Sequence, residues 1–121
     1  MDISKIEKDL ISTIKLSPIQ AKIFLLIVME GKMFPEKIGK KLDISTYEAM
    51  TVAKQLIELG GFIEISNNEF ESMHPRFTAV NMYRKMCERE KIDFKRNVTV
   101  DNIGIALERP YEDARTKYNK N

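Results

Sequence analysis

A mainly α-helical fold with one small β-hairpin, an α+β arrangement, is the class that this 121-residue chain predicts. Three observations predict it. Apolar residues recur at spacings of three and four over most of the length, several segments open on a capping residue or a proline, and over FIEISNNEFESM at 62–73 the period drops to two. The length fits one domain with a real core and is too short for two ordinary ones.

The elements follow in order. Ile3, Ile6, Leu10 and Ile14 form one apolar stripe behind Asp2, which can cap the helix. Ser17-Pro18 opens the next helix with a cap and a proline at the first helical position, where the missing N–H costs nothing. It ends at Glu30-Gly31, and Ala21, Phe24, Leu25 and Val28 give it a broad apolar face. Pro35 starts a short helix, PEKIGKKL, with Ile38 and Leu42 one turn apart. Asp43-Ile44 is a tight turn into Ser45, an N-cap whose Glu48 three residues on predicts a capping box. The helix 45–59 keeps Ala49, Val52, Ala53, Leu56 and Leu59 on one side and stops at Gly60-Gly61.

FIEIS and EFESM read as two strands around Asn67-Asn68, because asparagine tolerates the left-handed backbone of such turns. His74-Pro75 ends the hairpin. RFTAVNMYRKMCEREK at 76–91 is helical again, with Phe77, Val80, Tyr83 and Cys87 on one side and Ala79, Met82 and Met86 widening it. So wide an apolar surface predicts a second contact. VDNIGIALE then reads as helical, and Pro110 as the start of a last helix, PYEDARTKY.

Helix, short helix, tight turn, capped helix and two-stranded hairpin is the order of a winged helix-turn-helix, here with extra N- and C-terminal helices. The chain divides into an N-terminal helix at 1–15, with a possible role in dimerisation, a winged helix-turn-helix at 16–75 and a basic helical extension at 76–121.

LSPIQAKIFLLIVMEGKMFPEKIGKKLDISTYEAMTVAKQLIELGGFIEI resembles the N-terminal winged helix of the TrmB-type archaeal transcriptional regulators, relatives of the MarR class, over residues 16–73. LSPIQAKIF stands where that family opens its first helix, and GGFIEI where it runs into the wing. The resemblance implies a short form without the family's sugar-binding domain: a DNA-binding regulator, usually dimeric, with base contacts from the helix that begins at Ser45.

On that helix Thr46, Tyr47, Met50, Thr51, Lys54, Gln55 and Ile57 are left facing outward. Thr46, Thr51 and Gln55 can hydrogen-bond bases, Tyr47 can hold a phosphate, and Lys54 can do either. Lys32, Lys37, Lys40 and Lys41 lie where related folds cross the phosphate backbone, and Arg76 is the best late candidate. Met50 and Ile57 suit a packing partner instead. The wing carries Glu64, Glu69 and Glu71 with no basic residue, so only Asn67 and Asn68 are suited to touch DNA there. Dimerisation is expected through Ile3, Ile6, Leu10 and Ile14 together with Val80, Tyr83 and Cys87.

Residues 1–75 carry nine lysines, no arginine and eleven acids, a balance of −2, whereas residues 76–121 carry eleven cations and seven acids, a balance of +4. Charge for a polyanion is therefore expected from Arg84, Lys85, Arg89, Lys91, Lys95 and Arg96. One histidine and one cysteine offer no metal set, the five glycines form no phosphate cradle, and no catalytic constellation is present, so neither an enzyme nor a cofactor is expected. No apolar run approaches the ~20 residues of a membrane span, and the single cysteine fits a reducing, cytoplasmic setting. The expected function is a homodimeric regulator of double-stranded DNA. The alternative is a winged-helix interaction subunit or adaptor in a transcription-related assembly.

Overall fold

The computed structural model describes residues 2–119, with side chains described to residue 117. Met1 and residues 120 and 121, at the ends of the two flanking segments expected from the sequence, lie outside the described residues. Six helices and one two-stranded antiparallel sheet follow in the order α1 (Ile3–Thr13), α2 (Pro18–Glu30), α3 (Pro35–Leu42), α4 (Thr46–Glu58), β1 (Ile63–Ser66), β2 (Glu69–Glu71), α5 (Pro75–Glu90) and α6 (Val98–Asn119). This is the winged helix-turn-helix order, with α1, α5 and α6 around it.

Caps set the helix starts. Asp2 accepts from the Lys5 N–H at 3.1 Å, and Ser45 Oγ accepts from the Glu48 N–H at 3.0 Å. The reciprocal bond expected from Glu48 is not formed, because its side chain lies exposed on the outer face of α4. The complete capping box stands at α2, where Ser17 and Gln20 each cap the other's backbone N–H.

Helix α2 is central. Ala21, Ile23, Phe24, Leu25, Ile27 and Val28 are all buried, since α4 packs on it from one direction and α1 and α6 from others. The α3–α4 turn is tight because Gly39 has no side chain: a Cβ there would sit 2.7 Å from the Ile44 carbonyl oxygen. Asp43 makes the turn itself with a left-handed φ of 57°. In the hairpin, Ile63 pairs with Glu71, Glu64 with Phe70 and Ser66 with Glu69, with an irregularity between Glu64 and Ser66. Of the two turn asparagines only Asn68 takes a positive φ, 65°. Phe70 also exchanges both backbone hydrogen bonds with Met33, at 3.0 and 2.9 Å, so the segment before α3 braces β2.

Two helical expectations are corrected. Phe77 is 57% exposed rather than packed, because α5 turns Thr78, Ala79, Met82, Met86 and Cys87 inward. The two C-terminal helices are one: α6 runs through Pro110. Proline inside a helix removes a hydrogen bond and crowds the preceding turn at a cost of ~3 kcal/mol. The helix tolerates this because it is anchored on both sides, by buried Ile103 and Leu107 before the proline and by Ala114 and Arg115 after it. Helix α6 also approaches α5 so closely that a Cβ on Gly104 would lie 2.7 Å from the Arg76 Cα.

Arg115 ties these layers together. Its guanidinium donates to the carbonyls of Val28 at 2.5 Å and Ile27 at 3.2 Å, pairs with Glu71, and lies 3.8 Å from the centre of the Tyr111 ring. Both charged side chains are only 15% exposed. Replacing Arg115 by Met is expected to strand the Glu71 carboxylate and lower stability by about 3 kcal/mol. The double change with Glu71→Gln should recover part of that loss. Urea denaturation of the four proteins measures both, and equal stability of Arg115→Met and wild type would refute the tie.

Candidate nucleic-acid interface

The outer face of α4 follows from helix geometry. At about 100° per residue, Tyr47, Glu48, Lys54, Gln55 and Glu58 all fall within about 60° of Thr51, while Ala49, Val52, Ala53 and Leu56 point into the core. That arc is open: Tyr47, Glu48, Thr51, Lys54, Gln55 and Glu58 are all exposed, Tyr47 at 80%. Thr46, the first helical residue, lies off the arc at its N-terminal end. The C-terminal helix does not shield this face by its main packing, which is against α5, α2 and α1.

The arc is chemically polar but nearly devoid of positive charge. Lys54 is its one cation, against Glu48 and Glu58. Lys37 and Lys40 on α3 are exposed nearby in the helix-turn-helix, whereas Lys41 is paired with Glu30 at 2.7 Å. Gln55 has a partner from another helix: its Oε1 accepts from Gln20 Nε2 at 3.1 Å.

The late cations are distributed differently from the expectation. Arg84 bonds Glu88 at 3.0 Å and Asn81 at 2.5 Å, and Arg96 bonds Asp101 at 2.8 Å, which raises the Arg96 pKa above its ordinary value. Arg76 is exposed, but its charge faces Glu108 at 3.6 Å on α6, and it lines a hollow with Arg96, Asp101 and Ile105 rather than with α4. Exposed pairs of this kind leave little net field. Lys85 alone of the block is seen beside the end of α4, where it packs against Gly60 and lines a cavity of about 180 Å³ with Ile57, Met73 and Phe77. A cation there suits the helix C-terminus. Sequence reading gave Lys85 no such place, because its neighbour Gly60 is remote in the chain.

The residues expected to join two copies are mostly spent within one. Ile6, Leu10 and Ile14 are 6%, 0% and 1% exposed, and Cys87 is buried as well. Helix α6 lies against α1, and α5 turns Cys87 inward, so that surface is already covered. Ile3, Val80 and Tyr83 are half-buried, Tyr83 against Phe94 at 6.0 Å between ring centres. Met50 and Ile57, expected to be outward, are half-buried too, and Ile57 packs on the core. Among the described residues the open apolar surface near α4 is instead Ile63, Met73 and Phe77.

One cluster not foreseen from the sequence brings His74 Nε2 within 3.3 Å of Glu108 and 3.6 Å of Glu112. The two glutamates, four apart on α6, share a face, and His74 arrives from the end of the wing. His74 also caps α5, its Nδ1 accepting from the Arg76 N–H at 3.2 Å. An accepting Nδ1 leaves the proton of neutral imidazole on Nε2, directed at the carboxylates. The trio thus lies within ion-pairing distance with the Nε2 proton on its carboxylate side, and a metal on Nε2 would require that proton to move to Nδ1 and break the cap. Long-range nitrogen–proton NMR above pH 8 should report the Nε2–H tautomer. His74→Ala should lower the melting temperature by about 3 to 5 °C, the effect of losing a cap of ~1 kcal/mol in a domain of this size. An Nδ1–H tautomer would overturn the assignment.

The chain matches no family model, no curated protein and no solved structure. Among the described residues no helix is long and apolar enough to cross a membrane.

Proposed function

We propose that this chain is a DNA-binding transcriptional regulator that reads duplex DNA with α4 and acts as a homodimer. The observation that carries it is the uncovered polar arc of α4, with Tyr47, Thr51, Lys54 and Gln55 side by side on a helix buttressed from behind by α2 and α3. Hydroxyls, an amide and a lysine on a rigid helix are the groups that meet base edges and phosphates in a major groove. Two copies would present two such helices to two half-sites. Arg115 neutralises Glu71 on the wing, while Glu64, which accepts from the Asn68 N–H at 2.7 Å, and Glu69 keep their negative charge and disfavour close approach of the wing to phosphates.

A second reading, a winged-helix adaptor for another protein, is favoured by the exposed Ile63, Met73 and Phe77 around their groove. The two readings separate by mutation. Weakened DNA binding in Lys54→Ala supports the regulator. Loss of a stoichiometric protein complex in Phe77→Ser, with DNA binding intact, supports the adaptor.

With Lys37, Lys40, Lys54 and Lys85 each neutralising one phosphate, log K should fall with log salt at a slope of about −3.6 per protomer, and Lys54→Ala should reduce it by about 0.9. Fluorescence anisotropy on duplexes selected from a random pool at about 50 to 200 mM salt tests this. Failure to select any duplex at the lowest salt rejects the regulator, and a monomer in sedimentation at micromolar concentration rejects the homodimer.

A further inference from the structure

We propose that Gln20 is a positioning residue for Gln55: it holds the Gln55 carboxamide so that α4 offers only N–H donors to DNA at that point. The inference rests on the DNA-reading role of α4 proposed above and names what one of its residues selects. The target is an acceptor, either a phosphate oxygen or the O6/N7 edge of guanine, and not the mixed donor and acceptor edge of adenine.

The orientation follows from a chain of hydrogen bonds that begins at a backbone group. A backbone N–H can only donate, so the atom of Gln20 that meets the Ser17 N–H at 2.9 Å is its carbonyl Oε1. Gln20 Nε2 is therefore the atom directed at Gln55, 3.1 Å away. An amide nitrogen cannot accept, so Gln55 turns its Oε1 to α2 and its own NH₂ elsewhere. Side-chain amides usually leave their oxygen and nitrogen interchangeable. Here the capping box fixes both amides in sequence.

The consequence reaches the outer arc because Gln55 is exposed and lies about 40° from Thr51 around the helix. A glutamine that reads adenine uses oxygen and nitrogen together, one for N6 and one for N7. With Oε1 committed to Gln20, the free end of Gln55 has two hydrogens to give. Guanine shows two acceptors in the major groove, and the backbone shows phosphate oxygens.

Gln20→Glu is the informative variant. Glutamate keeps an oxygen for the Ser17 N–H, so the capping box survives. It also puts an acceptor where Nε2 stood, and Gln55 must rotate to donate to it, turning Oε1 outward. Binding to the duplex selected by wild type should weaken about tenfold, as should binding of Gln55→Ala, while the melting temperature stays within about 2 °C. In the Gln55→Ala background, Gln20→Glu should cause no further loss, which separates the effect from simple repulsion by the added charge. Neutral methylphosphonate linkages and 7-deazaguanine, placed one position at a time, tell phosphate from guanine: the one that erases the difference between wild type and Gln55→Ala marks the contact.

Proton NMR of the free protein gives a readout that needs no DNA. The Gln55 NH₂ should show no nuclear Overhauser contact with the Gln20 NH₂ hydrogen-bonded toward it beyond that of an oxygen-facing pair, and should exchange with water faster in wild type than in Gln20→Glu. Slower exchange in wild type overturns the positioning role. Should wild type bind no duplex, the DNA function and the acceptor assignment fall together, while amide exchange still decides whether Gln20 orients Gln55. Tenfold loss from Gln20→Glu that persists in the Gln55→Ala background also overturns the proposal.

Discussion

Arg115 lies where the end of α2, the second wing strand and α6 meet, and the attitude of the wing depends on it. At the end of α2, where carbonyls run out of helical partners, Arg115 donates to the Val28 carbonyl and adds a second donor to the Ile27 carbonyl, which already accepts from the Gly31 N–H, while pairing with Glu71. Glu71 adjoins Phe70, which is bonded on its other side to Met33 ahead of α3. One guanidinium in the last helix thus fixes the hairpin against the central helix on which α4 also rests. Its Nε is buried without a partner among the described residues, a cost that the paired charge and the carbonyl bonds have to offset.

The same tie changes the electrostatics. A wing with three glutamates would repel a phosphate backbone if all three stood free. Glu71 is neutralised by Arg115, and Glu64 and Glu69 are bonded within the hairpin, to the Asn68 N–H and the Ser66 hydroxyl. Four arginines of the C-terminal part, Arg76, Arg84, Arg96 and Arg115, are in turn engaged by Glu108, Glu88, Asp101 and Glu71. On α3 and α4 themselves, the exposed cations besides the paired Lys41 are Lys37, Lys40 and Lys54. An interface of this kind relies on shape and hydrogen bonding more than on bulk charge.

Rigid support for α4 comes from short-range devices. Gly39 lets the turn close, Ser45 caps the helix, and the Ser17–Gln20 box reaches across to Gln55. The last of these joins a local capping motif to a side chain on the exposed face. Sequence showed the Ser17 cap and the outward place of Gln55 separately; the bond between residues 35 apart required the packing of α2 against α4.

By itself the sequence determined the local elements: helix starts from Asp2, Ser17, Pro35 and Ser45, the inward faces of α2 and α4, and the change of period at the hairpin. These depend on backbone capping and on side-chain periodicity, both confined to a few neighbouring residues. Only the tertiary structure decided that α6 continues through Pro110, that it covers α1 and so consumes Ile6, Leu10 and Ile14, that Phe77 faces outward, and that Glu71 meets Arg115. Each of these is a contact between segments far apart in the chain. Periodicity says that a face must be buried, but it does not say by what, and a charge run says nothing about which opposite charge will fold back upon it.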